Sequence, residues 1–468
     1  TRRTPHFHMI GRWRGRTAHT LFLLLLICAA ADSAAVGCCF GCGSFFAERL
    51  LQLASSTSRR LRGLPSHDTA KIQSQRPAST PKKRPFMQLS KENVDDTCSV
   101  APLNPAGFRL ATPGSRRLCV APMMDWTDRH DRYFLRRFSK HTWLYTEMVT
   151  CSAILDNQHR KEQHLKFFQD EHPIALQLGG SDPKNLAICA AIGESYGYDE
   201  INLNVGCPSE RVSRTKNSFG AILMATPELV AECVAAIKAV VKVPVTVKHR
   251  IGIDDMDSYE ELCHFVKVVS AAGCNTFIVH ARKAILSKRL SPKQNREIPP
   301  LNYEYVYQLK RDFPHLEIIL NGGVDDLVHA QLHLDQGVDG VMIGRSAYYD
   351  PFRILGTADR VIYGDASGFE KTRQQVVDEM APFIQEQLDK REPLNSITRH
   401  MMGLFNGCKG GKLFRRYLSD NVHLKGSGVG TFLAAVEKVP EDVRHGLVDD
   451  NPLDESYMSR PKNELQVG

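Results

Sequence analysis

Short apolar segments alternate with amphipathic helical segments from Leu118 onward, and this alternation limits the possible folds more than any other feature. Helical segments such as Pro227–Val241 and Tyr259–Ala272 lie between most of the strand candidates. Strands that alternate with helices pair in parallel through right-handed crossovers. Eight such units over about 240 residues predict an α/β protein with a (β/α)8 barrel. The strand candidates are Leu118–Pro122, Thr142–Glu147, Pro173–Gln177, Glu200–Asn204, Val243–Lys248, Thr276–His280, Glu317–Asn321 and Gly340–Gly344.

The strand pattern stops near Phe369, and helical periodicity continues alone. The helical segments there are Lys371–Lys390, Ile397–Phe405, Gly411–Asp420 and Val429–Val439. We therefore predict four parts: a leader over residues 1–95, the barrel over 96–367, a small all-helical C-terminal domain over 368–446, and a disordered tail over 447–468.

The charge of the chain is concentrated in its first 90 residues. These carry 14 Lys and Arg against 3 Asp and Glu, a net charge of +11, whereas the whole chain carries +8. The remainder is therefore slightly acidic, at −3, so any nucleic-acid binding by the body depends on local basic patches.

The leader has the order of a targeting sequence. Arg12, Arg14 and Arg16 precede the apolar run Leu21–Ala31, which is shorter than the roughly 20 residues that span a bilayer. The following stretch, Gly43–Ser90, is rich in Ser and Arg. This order predicts a signal peptide followed by a transit peptide, an address resembling that of plastids acquired by secondary endosymbiosis. The alternative is a cytoplasmic protein that starts at Met87.

The 13 cysteines are scattered and predict neither a disulfide framework nor a metal site. Cys38, Cys39 and Cys42 form the one tight group, and no second ligand pair follows them. We also expect no stable membrane association once the leader is removed, and a monomer.

Polar residues end nearly all of the predicted strands, at the edge where a barrel of this kind binds its ligand. Gly322 and Gly323 leave backbone N–H groups free to approach an anion, and Gly344-Arg345 adds a positive charge. The methionine pair offers soft apolar surface for a flat ring. The strand-end residues are Pro122, Met123, Met124, Asp125, Glu147, Gln177, Asn204, Lys248, His280, Asn321, Gly322, Gly323, Gly344 and Arg345.

The stretch Ile201–Met224 carries the most specific pattern, Asn-x-Gly-Cys-Pro-Ser followed by Phe-Gly-Ala-x-Leu-Met. It resembles the central motif of the tRNA dihydrouridine synthases, bacterial A-type branch. The segments APMMDWTDRHDRYFLRRFS, LYTEMV, IALQLGGSDP, VTVKHRIGIDD, VHARKA, NREIPPLNY, LNGGV and DGVMIGR resemble further family motifs in the same order. The resemblance spans Leu118 to Gly364, and TRHMMGLFNG continues it into the helical segments.

The resemblance implies tightly bound FMN, NADPH as the reductant, and a uridine at position 20 or 20a in the D-loop of tRNA as the substrate. The implied reaction reduces the uracil C5=C6 bond of a base that has left the stack. The cofactor-binding residues would be the strand-end residues from Pro122 to Arg345 other than Asp125, Glu147 and Asn204. Lys248 and His280 would also take part in catalysis, and Asn204 would hold the uracil edge.

The proton donor is the point at which this chain differs from the family pattern. The resemblance implies a catalytic cysteine at the position that Ile222 occupies, and Ile222 has no proton to give. The alternative proton donors are Cys207, Ser213, Thr215, Ser218 or a water molecule. The alternative function is therefore a catalytically weakened protein that still binds FMN and tRNA.

Two basic groups are the predicted RNA contacts, and phosphate binding by them would weaken with salt. Arg282, Lys283, Lys288, Arg289, Lys293 and Arg296 follow the sixth predicted strand, and Arg399, Lys409, Lys412, Arg415 and Arg416 lie in the helical domain. Another FMN barrel reductase, such as a dihydroorotate dehydrogenase, fits the basic helical domain and the His-Ala-Arg-Lys motif less well.

Overall fold

The computed structural model describes residues 114–447, apart from residues 157, 214–217, 289, 366, 368 and 369. The leader, the cysteine group Cys38–Cys42 and the tail therefore lie outside the described residues, and the predictions made for them stay predictions. The described barrel and helical segments belong to one compact unit.

Parallel strands close into a barrel in the order β1-β9-β8-β7-β6-β5-β4-β2. A parallel bridge between Cys119 and Trp143 joins β1 to the start of β2, and the Val120 N–H donates to the Trp143 carbonyl at 2.8 Å. All eight predicted strands are confirmed, and one short extra strand, β3, pairs with β4. The strands are β1 Leu118–Val120, β2 Leu144–Tyr145, β3 Val149–Thr150, β4 Ile174–Gly179, β5 Glu200–Val205, β6 Val245–Arg250, β7 Thr276–His280, β8 Glu317–Asn321 and β9 Gly340–Ile343.

Helices follow most strands and then continue alone after β9, as the alternation predicted. The α-helices are α1 Arg129–Leu135, α2 Cys151–Leu155, α3 Gln158–Leu165, α4 Pro183–Tyr196, α5 Glu210–Ser213, α6 Pro227–Lys238, α7 Tyr259–Ala271, α8 Gln294–Glu297, α9 Tyr303–Asp312, α10 Leu327–Asp335, α11 Arg345–Tyr349, α12 Pro351–Leu355, α13 Ala358–Tyr363, α14 Arg373–Asp389, α15 Leu394–Thr398, α16 Gly411–Asn421, α17 Val429–Val436 and α18 Glu441–His445. Short 3-10 helices span Gln169–Glu171, Gly220–Ala225 and Arg399–Gly403. No helix of this described part is both long and apolar enough to cross a membrane.

The alternation of side chains along each strand divides the core into an inner and an outer part. On β7, Ile278 faces the barrel interior, while Phe277 and Val279 pack against the surrounding helices. The inner apolar cluster is small and consists of Cys119, Ala121, Trp143, Tyr145, Ala175, Ile278, Ile319 and Met342.

A chain of hydrogen bonds between buried polar side chains runs through the barrel interior toward its mouth. It begins at Glu200, the first residue of β5, which accepts a hydrogen bond from the Thr246 hydroxyl. Asn202 donates to Thr246 at 2.7 Å. Gln177 then donates to Asn202 at 2.7 Å and accepts from Asn204 at 2.8 Å at the outer end. Satisfied buried polar groups of this kind hold side chains in single orientations.

The helix starts follow the expected chemistry with one difference. Pro227 occupies the first turn of α6, where proline is favoured because that position needs no N–H donor. Thr226 stands at the N-cap position, but its hydroxyl donates back to the Leu223 carbonyl at 3.4 Å and caps no N–H group. The Thr226 hydroxyl is thus bonded to the preceding 3-10 helix, and the local sequence did not predict that helix.

Candidate active site

A cavity of about 940 Å³ opens at the carboxyl ends of the strands. A cavity of this volume can hold a cofactor-sized ligand. Every residue predicted to bind the cofactor lines it: Pro122, Met123, Met124, Gln177, Lys248, His280, Asn321, Gly322, Gly323, Gly344 and Arg345. Asn204, Cys207, Arg282 and Arg296 line it as well, so the structure brings residues from the ends of seven strands together.

The loop after β8 has a backbone that only glycine adopts easily. Gly322 and Gly323 have φ angles of +115° and +71°. A Cβ atom on Gly322 would stand 2.6 Å from the His280 ring, and one on Gly323 would stand 2.6 Å from the Tyr303 hydroxyl. The Tyr303 hydroxyl also donates to the Gly322 carbonyl at 2.9 Å and fixes the turn. The two glycines therefore let His280 and Tyr303 pack directly against the loop that lines the cavity.

Lys248 points into the cavity from β6 and has no carboxylate partner among its hydrogen bonds in the described residues. Its Nζ donates to the Asn321 Oδ1 at 3.1 Å, and the Asn321 amide donates in turn to the Met342 carbonyl at 2.8 Å. Burial, followed by the charge of Arg250, lowers the pKa of Lys248 to about 7. An anionic ligand placed beside such a lysine would stabilise its protonated form.

His280 lies beside Lys248 in the same mouth and is neutral at physiological pH. Burial lowers the pKa of its imidazole well below the ordinary value, and the nearby charges of Arg250, Lys248 and Arg282 lower it further. Its ring packs edgewise against Gly322. A neutral imidazole can both donate and accept a hydrogen bond toward a ligand.

Cys207 lines the cavity on a loop that is held from two sides. The Asn204 Oδ1 accepts from the backbone N–H of Gly206 at 3.1 Å and from that of Cys207 at 2.9 Å. On the other side, the Arg250 Nε donates to the Gly206 carbonyl at 3.0 Å. Burial raises the pKa of the Cys207 thiol, partly offset by a backbone hydrogen bond from Ser209 and by the charge of Arg250. The backbone that carries the thiol is therefore fixed, and the raised pKa keeps the thiol protonated at neutral pH.

Ile222 lies half-buried in the 3-10 helix Gly220–Ala225 and is not among the residues that line the cavity. The Ala221 N–H donates to the Cys207 carbonyl at 2.9 Å, so this helix supports the Cys207 loop from behind. The structure thus presents Cys207, rather than position 222, to a ligand. We expected residue 222 at the reacting carbon, and the packing of this 3-10 helix directs it elsewhere.

The predicted hydroxyl donors do not compete with Cys207. Ser213 donates to the Ser209 carbonyl at 3.1 Å, and Ser218 donates to the Ser213 carbonyl at 2.9 Å. Both hydroxyls are therefore engaged within their own loop. Thr215 lies outside the described residues.

The basic residues after β7 divide into cavity-facing and structural groups. Arg282 and Arg296 face the cavity, and the Arg296 Nε is buried without a hydrogen-bond partner in the described part. Lys283 instead pairs with Asp257 at 2.6 Å and donates to the Asp254 carbonyl, which favours a structural role. Arg289 lies outside the described residues.

The basic residues of the helical segments also divide. Arg399 donates to Asp128 at 2.7 Å, so it ties the helical segments to the start of α1. Lys412 and Arg416 are exposed on α16, and Arg415 is half-buried there. These three side chains, unlike Arg399, are available on one helix for contact with a polyanion.

Sequence reasoning missed Arg250, which the structure makes central to the site. Its Nη1 donates to the carbonyls of Lys283 and Asn295 at 3.0 Å each, in addition to its bond to Gly206. The predicted strand ended at Lys248, whereas β6 runs to Arg250. The signal was present, because the period of two along a strand places residues 246, 248 and 250 on the same face.

The lining of the cavity fits a ligand that combines a flat apolar ring with an anion. Six lining residues are Lys or Arg and two are Asp, so the cavity attracts negative charge. Gly344 keeps that side open, since a Cβ there would approach only Ala121 and the Met123 sulfur, each at 3.7 Å. These are the requirements of flavin mononucleotide, with its phosphate near the loops after β8 and β9. The fold and the site thus define a flavin-dependent barrel oxidoreductase.

The chain belongs to the dihydrouridine synthase family. The family model "Dihydrouridine synthase (Dus)" matches residues 119–441. The chain is 55% identical over 330 residues to the tRNA-dihydrouridine(20/20a) synthase of Vibrio vulnificus (strain CMCP6), covering 70% of this chain and 98% of that protein. It is also 55% identical over 328 residues to the tRNA-dihydrouridine(20/20a) synthase of Escherichia coli (strain K12), covering 70% of this chain and 92% of that protein.

Among solved structures, morphinone reductase in complex with tetrahydroNAD aligns at 13% identity with a TM-score of 0.37. The alignment covers 54% of this chain and 90% of that one. A likeness this weak carries no argument about function.

Proposed function

We propose that this protein reduces uridine to 5,6-dihydrouridine in the D-loop of tRNA, at position 20 or 20a, with FMN as the cofactor and NADPH as the reductant. The names of the two relatives support the tRNA substrate and its positions. The observation that carries the proposal is Cys207, which lines one cavity together with Lys248, His280 and Asn204.

FMN, when bound, supplies the hydride equivalent that reduces the C5=C6 bond, and NADPH restores it. The chain contributes the binding and the charges. Arg345 and the backbone of Gly322 and Gly323 would hold the phosphate, while Met123 and Met124 would provide apolar surface for the ring. Lys248, with its lowered pKa, would regain its proton beside an anionic group and stabilise the negative charge there.

Cys207 is the group that we assign to protonation of C5. A general acid has to carry its proton at the working pH and stand at a fixed place beside the reacting atom. Burial keeps the thiol protonated, and Asn204 and Arg250 fix the backbone that carries it. Asn204 would act on Cys207 as a positioning residue, in addition to its predicted contact with the uracil edge. If Cys207 is the proton donor, the isoleucine at position 222 does not deprive the reaction of its general acid.

The competing proposal, a binding protein without the chemistry, depended on the missing cysteine at position 222. With a protonated thiol in the cavity, no part of the site argues for it. A monomer remains our expectation for the oligomeric state.

The full-length protein tests the proposal directly. After purification it should be yellow, and NADPH should bleach the flavin absorbance without tRNA present. Added tRNA that lacks dihydrouridine should restore the absorbance under anaerobic conditions and gain two hydrogens at position 20 or 20a, read by mass spectrometry of nuclease fragments. Flavin that NADPH reduces but that tRNA never reoxidises would contradict the proposal.

We also propose that the leader directs the protein to an organelle, and specifically to a plastid. The order of basic, apolar and then Ser- and Arg-rich segments supports this. A reporter fused to residues Met9–Ser90 should enter the organelle, and a reporter fused to a segment that starts at Met87 should not. A cytosolic Met9–Ser90 reporter would favour Met87 as the start.

A further inference from the structure

Three aromatic side chains, Trp126, Tyr348 and Tyr349, form a stack at the edge of the cavity that we call the aromatic rim. The Trp126 and Tyr348 rings stack with centroids 4.5 Å apart and planes 15° apart. Tyr349 meets the Trp126 ring edge-on, with centroids 5.2 Å apart. Such pairs are more rigid than single exposed rings, because each fixes the orientation of its neighbour.

The aromatic rim is anchored on one side and open on the other. Tyr348 reaches His400, which is buried, with its hydroxyl 3.4 Å from the His400 Nδ1. Trp126 lines the cavity together with Met124, two residues before it. Tyr349 is 53% exposed and Met124 is 54% exposed, so the aromatic rim and the cavity lining both offer apolar side chains to solvent. Single exposed apolar side chains are common, but a stacked group at a ligand opening indicates an interaction site.

Positive charge stands next to this surface. Arg296 lines the same cavity as Trp126 and Met124. Its Nε is buried and has no hydrogen-bond partner in the described residues. A buried donor without a partner is costly unless a ligand supplies the acceptor. A phosphate oxygen is the acceptor that suits a guanidinium best.

We propose that the aromatic rim is a subsite for the base next to the target uridine, with Tyr349 as the exposed stacking face and Arg296 contacting the adjoining phosphate. This inference rests on the proposed function, since it needs an RNA substrate. A uridine that leaves its stack also leaves its neighbour without a stacking partner. Aromatic side chains replace that partner at sites for single strands, and they accept any base.

The subsite would contribute to binding and positioning of the RNA without taking part in the chemistry. Tyr349 is well placed for this role because its side chain packs on Trp126 rather than inside the core. We therefore expect Tyr349→Ala to leave the fold and the flavin reaction with NADPH intact. Tyr349→Phe is the matched control, because it keeps the ring and removes a hydroxyl that makes no hydrogen bond in the described part of the chain.

The decisive experiment combines these variants with altered tRNA in single-turnover flavin reoxidation. Tyr349→Ala should raise the tRNA concentration needed for half-maximal rate by roughly 5- to 100-fold, the range of one base–aromatic stack. Tyr349→Phe should behave like the unaltered protein. A tRNA with an abasic residue beside the target uridine, tested on each side in turn, should weaken binding to a comparable degree with the unaltered protein and little further with Tyr349→Ala.

Two results would overturn the subsite. One is an unchanged half-maximal concentration for Tyr349→Ala, and the other is an abasic effect of equal size in both proteins, which would show that the missing base stacks elsewhere. If no form is reoxidised by tRNA, the proposed function fails instead. Equilibrium binding of the same RNAs, followed by Trp126 fluorescence against the Tyr349→Phe control, then still decides whether the aromatic rim binds a base.

Discussion

At the scale of single residues, the site depends on which side chain of the segment between β5 and α6 reaches the cavity. Cys207 and Ile222 are both close to the strand–helix connection in sequence, and only Cys207 lines the cavity. The difference goes with backbone contacts: the Asn204 Oδ1 accepts from the Cys207 N–H in the loop that lines the cavity, whereas residue 222 lies in the 3-10 helix Gly220–Ala225.

The first prediction compares these two positions. Cys207→Ala should leave flavin reduction by NADPH unchanged and slow reoxidation by tRNA by about 10² to 10⁴, because a general acid is removed. Ile222→Cys is the matched variant and should leave both steps unchanged. Rapid-mixing absorbance under anaerobic conditions measures both steps. A large acceleration by Ile222→Cys would return the acid to position 222.

The second prediction concerns the charge of Lys248. Its pKa in the ligand-free cavity is lowered to about 7, so the side chain is charged below that pH and neutral above it. An anionic ligand favours the charged form, so FMN affinity should decrease as the pH rises through about 7. Lys248→Met should bind FMN more weakly at pH ~6 and show a flatter pH dependence. Fluorescence titration of the apoprotein with FMN measures both, and parallel pH profiles would contradict the assignment.

At the scale of elements, α16 presents an apolar face to the helical core and a basic face to solvent. Phe414 and Leu418 are buried, whereas Lys412 and Arg416 are exposed, the latter 3.6 Å from Asp420. An ion pair between exposed side chains at this spacing contributes little, so Arg416 stays available to a phosphate. The exposed basic face therefore makes α16 suited to contact the phosphates of a tRNA.

The third prediction follows from that face. Replacing Lys412, Arg415 and Arg416 with Ala should weaken tRNA binding and reduce the log–log salt slope by roughly one unit for each phosphate that the variant no longer binds. The control replaces Lys184, Lys242 and Lys267, three exposed lysines of the barrel part, and removes the same charge. Equal effects from the two triple variants would mean that only net charge matters.

At the scale of the whole molecule, a buried polar cluster joins the barrel to the helical segments. The His400 Nε2 lies 3.0 Å from Asp128, and its Nδ1 lies 3.8 Å from Asp131. Burial acts to raise the pKa of Asp128, but hydrogen bonds from His400 and Arg399 outweigh it and lower that pKa. Asp131 has no such bonds, both of its oxygens lack hydrogen-bond partners in the described residues, and burial raises its pKa well above the ordinary value.

The fourth prediction uses this difference in sign. A carboxyl group whose pKa is raised in the folded state stabilises the fold at pH values below its unfolded-state pKa of about 4. That stabilisation disappears as the pH rises through the folded-state pKa. Asp131→Asn removes the buried ionisation, so its stability relative to the unaltered protein should be higher at pH ~8 than at pH ~5 by about 1 kcal/mol or more. Asp128→Asn is the matched opposite and should be destabilising by a similar amount at both pH values, because the lowered pKa keeps Asp128 ionised in the folded state at each. Thermal unfolding at the two pH values measures the stability of each variant. An equal change in stability between the two pH values for both variants would contradict this account.

Local sequence alone determined the barrel, its order of strands and helices, and most of the residues at its mouth, although it missed Arg250. Strand periodicity and strand ends are local properties, and in a closed parallel barrel every carboxyl end meets at one rim. That is why all of the predicted cofactor residues, from Pro122 to Arg345, were found together. The resemblance to the family likewise depended on contiguous motifs and was confirmed by the family match to residues 119–441.

Only the tertiary structure decided which of the neighbouring residues serve the site and which serve the fold. Contacts between loops hold Cys207 and Arg250 at the cavity and keep Ile222 out of its lining. Packing between distant elements also pairs Arg399 with Asp128, and these two residues are 271 positions apart. Such hydrogen bonds and ion pairs depend on distances between elements that no local pattern records. The sequence therefore determined which strand ends meet at the mouth, and the packing between loops determined which further side chains, such as Cys207 and Arg250, line the cavity there.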